Sequence, residues 1–108
     1  MEDRTLIFAL NVRELTKKLR QTISNLEYSK QLIRSSASVG ANYIEANESL
    51  GKKDFAMRIR ICRKEAKESR YWLRLIESDT EQEMENKRLQ DETTQLIKIF
   101  TAILQKSV

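Results

Sequence analysis

Between Lys52 and Glu77, nine bases (Lys52, Lys53, Arg58, Arg60, Arg63, Lys64, Lys67, Arg70, Arg74) are set against four acids. The segment holds more net positive charge than the whole chain, whose formal net charge is +4. On a helix turning about 100° per residue, Lys53, Arg60, Arg63, Lys64, Lys67, Arg70 and Arg74 fall on one arc that the acids avoid. Cations gathered this way neutralise phosphates and release their counterions, which attracts a polyanion whatever its sequence. Lys17, Lys18 and Arg20 are candidates to extend the patch. Only Tyr71 interleaves with the bases, so the expected contact is with the backbone or shape of structured RNA or DNA, not with stacked bases. Two other readings stay open. The arc could be a solvated face with local i,i+4 pairs. It could also meet the stretch Glu77–Glu92 of another subunit, which has seven acids against Lys87 and Arg88.

Catalytic chemistry has little to work with. The chain has no histidine, which removes the usual imidazole base and the Glu-x-x-His pattern of di-iron bundles. The single cysteine, Cys62, cannot complete an ordinary zinc site and falls on an apolar face, where it reads as a small hydrophobe. Glu45, Glu48, Glu65 and Glu68 could gather around a metal, but pairing with Arg34 or other bases between helices is the expected role. No enzyme, metal or cofactor is expected.

These side chains must be positioned by helices. A chain of 108 residues with no proline and two glycines has one core and little to interrupt helix. No N-terminal apolar run resembles a signal peptide, and no stretch of about 18 apolar residues suggests a membrane span. With one unpaired cysteine, the expected location is the cytoplasm.

Apolar steps of three and four predict helices over about 4–23, 25–50, 53–78 and 81–105. The inward faces are Phe8, Val12, Leu15 and Leu19, then Leu32, Ser36, Val39, Tyr43, Ala46 and Leu50. They continue with Phe55, Ile59, Cys62, Ala66, Ser69, Leu73 and Ile76, and end with Leu89, Thr93, Leu96, Phe100 and Ile103. Capping boxes are expected at Ser24/Glu27 and Thr80/Glu83, with Gly51 as a left-handed helix end. The small-residue run from Ser35 to Ala41 reads as close approach of a neighbouring helix or subunit. Short connections then give one domain, an all-α, antiparallel up-down-up-down four-helix bundle.

The third helix carries a second apolar stripe of Met57, Ile61, Trp72 and Leu75, with Glu68 among them. It either widens the bundle's own core or forms a subunit contact. The subunit reading leads to a closed symmetric homo-oligomer.

The segments RSSASVGANYIEA (Arg34–Ala46), KKDF (Lys52–Phe55) and KEAKESRYWLRL (Lys64–Leu75) resemble the four-helix proteins encoded in 23S rRNA intervening sequences, the S23 family. The likeness is carried by Arg34, Ser38, Asn42 and Glu45, then Asp54, Phe55, Lys64, Glu65, Glu68, Trp72 and Leu73. Gly40 departs from it, standing where many relatives have proline. The resemblance implies a homopentameric barrel without catalytic residues. It also implies kinship with accessory proteins of diversity-generating retroelements, which bind nucleic acid and a reverse transcriptase through basic surfaces. Asn42, Glu45 and Glu65 are suited to holding helices together. The combined expectation is a non-catalytic homo-oligomer that binds RNA or DNA through its basic face. The alternative is a protein-interaction scaffold whose basic face pairs with a neighbouring subunit or a protein partner.

Overall fold

Four helices account for nearly all of the computed structural model, which describes residues 1–106: α1 (Glu2–Lys18), α2 (Ile23–Asn47), α3 (Lys52–Leu75) and α4 (Thr80–Lys106). Each packs on its neighbour in sequence and α4 closes the ring on α1, while the diagonal helices meet only through side chains such as Tyr43 of α2 and Phe100 of α4, whose ring centroids are 6.3 Å apart. This is the all-α up-down bundle that short connections require. Among the described residues, no helix is long and apolar enough to cross a membrane.

The inward stripes assemble one core. Phe8, Val12, Leu15, Leu32, Val39, Ile59, Cys62, Leu73, Leu96 and Phe100 are all essentially inaccessible to water. Tyr43, Phe55 and Ile103 sit half-buried at its edge. Leu50 departs from its expected inward place. α2 ends at Asn47, before reaching it, and Leu50 is wholly exposed in the following turn.

The ends of the helices differ from expectation for local reasons. Thr22, not Ser24, starts α2: its side chain accepts the Asn25 N–H at 3.1 Å, and Glu27 lies by Lys30 instead. Buried Asn25 determines where this turn closes. Its amide donates to Arg20 O (2.9 Å) and Glu77 O (3.0 Å), and its oxygen accepts the Glu77 N–H at 2.8 Å. One side chain thus ties the α1–α2 turn to the α3–α4 turn.

Gly51 is not a left-handed end. It precedes α3 in extended backbone (φ −151°, ψ 166°), while short bonds from Glu48 N–H to Glu45 O and from Ser49 N–H to Ala46 O satisfy the carbonyls that end α2. At α4 the box lies one residue early, with the Asp79 N–H donating to Gln82 Oε1 at 3.1 Å. Asn86 reaches back to Leu73 O and Ser78 Oγ, fastening the end of α3.

The small residues of α2 admit close neighbours, as expected. A Cβ built on Gly40 would lie 3.0 Å from Thr5 Oγ1 and 3.3 Å from Thr5 Cβ, so α1 crosses α2 where a side chain is missing. Gly40→Val is expected to destabilise the protein by about 1–3 kcal/mol, because α1 must move away. Gly51→Ser, with open space around it, is expected to be neutral or stabilising by up to about 0.5 kcal/mol, since serine is the better N-cap. Urea unfolding of the two variants checks both values.

Candidate nucleic-acid interface

α3 is held in register by polar contacts along its seam with α2. Ser35 Oγ and Ser69 Oγ meet at 2.9 Å in the interior, and Cys62 Sγ donates to Val39 O at 3.4 Å. Arg58 donates to Asn42 Oδ1 at 3.2 Å. Arg34 reaches across the seam to Glu65 (3.0 Å) and Glu68 (3.5 Å). The expected pairing of Glu65 and Glu68 with Arg34 is therefore observed, whereas Glu45 and Glu48 remain exposed.

Burial pushes the Glu65 carboxyl up. Hydrogen bonds with Glu68, Ser38 and Arg34, together with the Arg34 charge, outweigh that and leave it below its ordinary value. Glu68 is pushed above its ordinary value, first by its hydrogen bond to Glu65, then by burial and by the Glu65 charge. The Cys62 thiol is pushed up to about 12 by burial, so it holds its proton at neutral pH.

With its inner face locked, α3 turns its cations to the other side. Arg60, Lys64, Lys67 and Arg74 are exposed; Arg63 and Arg70 are half-buried over the seam with α4. Their partners there are hydroxyls rather than acids, Thr101 for Arg63 (3.3 Å) and Thr94 for Arg70 (3.5 Å). Among the described residues, no base of α3 stands within ion-pair distance of a carboxylate. The acids of the Glu77–Glu92 stretch that do pair take other bases: Asp79 takes Arg20, Glu83 Lys87, Glu85 Arg88 and Glu92 Arg4.

Lys17 and Lys18 end α1, which stands diagonal to α3 in the bundle, and Arg20 lies in the turn that follows. Lys17 pairs with Glu14 at 3.2 Å and Arg20 with Asp79 at 3.4 Å. Lys17 and Arg20, together with Lys30, rim a groove of about 300 Å³ between α1 and α2, over Leu19, Leu26 and Ile33.

The second stripe of α3 divides. Trp72 packs against its own bundle's core and stacks on Tyr28 of α2, with centroids 6.1 Å apart. Met57 is exposed, and Ile61, Glu68 and Leu75 are half-buried. A further apolar face lies outside the predicted stripes: Leu6 and Leu10 on α1, and Leu26, Ile33 and Ile44 on α2, all exposed. Its signal is the run Leu26, Ile33, Ala37, Ile44, spaced as a second helical stripe about 120° from Leu32.

Known proteins agree with this architecture. The family model for the 23S rRNA-intervening sequence protein matches residues 3–102. A crystal structure of a protein of unknown function from the S23 ribosomal protein family of Bacteroides thetaiotaomicron is similar with a TM-score of 0.84. The two sequences are 32% identical, over 95% of this chain and 96% of that one. No curated protein matches the chain significantly.

Replacing Arg34 by glutamine leaves Glu65 buried without its cation. The expected loss at pH 7 is about 1–3 kcal/mol, less than for a fully buried pair because the Arg34 side chain is 52% exposed. In the wild type, the depressed Glu65 value contributes stability that is present above the ordinary 4.5 and lost as pH falls through the folded value. In the variant, Glu65 is relieved on taking up a proton, so urea midpoints of the two proteins should converge as pH falls through 4.5. For Cys62, alkylation of the native protein by iodoacetamide should run roughly a hundredfold or more slower than in urea.

Proposed function

From the premise that this chain belongs to the 23S rRNA-intervening sequence protein family, we propose that it is a non-catalytic cytoplasmic homo-oligomer, a pentamer, that binds RNA or DNA phosphates through α3. The observation that carries this reading is the arc from Arg60 to Arg74, whose cations have no carboxylate partner among the described residues while acids elsewhere pair with other bases. Over about 14 residues such an arc extends roughly 21 Å, enough to follow several phosphates of one strand. Half-buried Arg63 and Arg70 are steadied by threonines, so they hold fixed positions at little entropic cost while keeping their full charge.

Self-association is supported by two different apolar strips. One lies along α1 and α2 (Leu6, Leu10, Ile33, Ile44); the other lies on the α2 side of α3 (Met57, Ile61, Leu75). Unlike strips meeting head to tail generate a ring, whereas a two-fold dimer needs one self-complementary strip. RNA is the favoured polyanion.

Light scattering should give a mass five times the 12.7 kDa of one chain. Replacing Arg63, Lys67, Arg70 and Arg74 together by glutamate should weaken binding to a labelled RNA at least 100-fold at about 0.1 M salt, with unchanged helicity. If each of the four meets one phosphate, the slope of log affinity against log salt should become shallower by roughly 3–4. Unaltered binding by that variant removes α3 from the interface.

A further inference from the structure

Tyr71 is 57% exposed and stands within the basic arc, one helical turn from both Lys67 and Arg74. By spacing alone it is a single aromatic among bases, which does not support base stacking. Its surroundings in the fold change that reading. The ring meets Trp72 edge-on, with centroids 5.2 Å apart and planes at 67°. Trp72 in turn stacks on Tyr28 of α2 at 6.1 Å and 29°, and packs against the core. Three aromatics thus run from the margin of the core to the surface, and the outermost is braced by a T-shaped contact. The nearest acid along the helix, Glu68, is drawn towards Arg34 across the seam.

We propose that Tyr71 is a stacking platform for an unpaired nucleobase, so that the ligand class is single-stranded RNA or DNA, or an unpaired loop of a structured RNA. The proposal rests on the phosphate-contact reading above and sharpens it. Any base has a π-face, and stacking on an aromatic is tolerant of sequence. A ring already immobilised by its neighbours loses little side-chain entropy when a base settles on it. Lys64, Lys67 and Arg74 surround the ring on the exposed side of the helix and are placed to hold the phosphates on either side of that base. A continuous duplex keeps the faces of its internal bases stacked on each other, so it can meet the cations but not the ring.

The test compares Tyr71→Ala and Tyr71→Phe with the wild type, using a fluorescein-labelled oligouridine and a blunt RNA duplex of equal charge, across a salt series. Tyr71→Ala is expected to weaken oligouridine binding roughly 5- to 100-fold, with the salt slope unchanged because no cation is lost. Duplex binding should stay within about twofold, and Tyr71→Phe should bind oligouridine like the wild type. Equal effects of Tyr71→Ala on both ligands, or none on either, overturn the stacking proposal. So does a lower solution mass of Tyr71→Ala, which makes the ring a subunit contact. If the four-fold glutamate variant still binds as the wild type does, the phosphate reading fails instead, and the two failures are told apart.

Discussion

The close seam between α2 and α3 is the constraint on which the rest of the molecule depends. Small residues let the two helices approach until Ser35 and Ser69 touch at 2.9 Å, and Ala66 and Val39 pack without exposure. That closeness buries Glu65, and a buried carboxylate must be paired or protonated. Arg34 supplies the pair from across the seam while keeping half of its own surface in water. The arrangement fixes the rotation of α3 about its own axis. Once Glu65 and Ser69 face α2, the cations from Arg60 to Arg74 have no direction left but α4 and solvent.

The second consequence concerns charge. A helix with this many bases could have been neutralised by its neighbour, since the first half of α4 is rich in acids. Instead α4 presents Thr94 and Thr101 to α3, and its Glu83, Glu85 and Glu92 pair with Lys87 and Arg88 on α4 itself or with Arg4 on α1. Hydroxyls satisfy the guanidinium donors geometrically without cancelling their charge. An unneutralised arc on a rigid, core-anchored helix is a costly feature for a fold, through its self-repulsion, and a useful one for a polyanion.

Legibility varied with the range of the interaction. The inward stripes were readable because helical periodicity is a property of neighbouring residues: Phe8, Val12 and Leu15, or Leu89, Leu96 and Phe100, declare a face by spacing alone. The pairing of Arg34 with Glu65 and Glu68 was foreseeable as chemistry, since carboxylates on central helices need partners. The placement of Lys17 and Arg20 was not. Lys17 stands on a helix diagonal to α3 and Arg20 in the turn after it, and spacing within α1 says nothing about which helices share an edge. The exposed face of Leu6, Leu26, Ile33 and Ile44 had a readable pattern that the stronger core stripe masked.

By itself the sequence determined the number of helices, their buried faces and the concentration of positive charge on the third, because each of these is written within a turn or two of chain. Only the tertiary structure decided which hydroxyl or carboxylate starts a helix. Thr22 prevails over Ser24 because Asn25 must reach Glu77, 52 positions away. Only the tertiary structure, likewise, set Tyr71 against a Trp72 that rests on Tyr28. These outcomes depend on residues distant in the chain becoming neighbours, and local periodicity does not encode that adjacency.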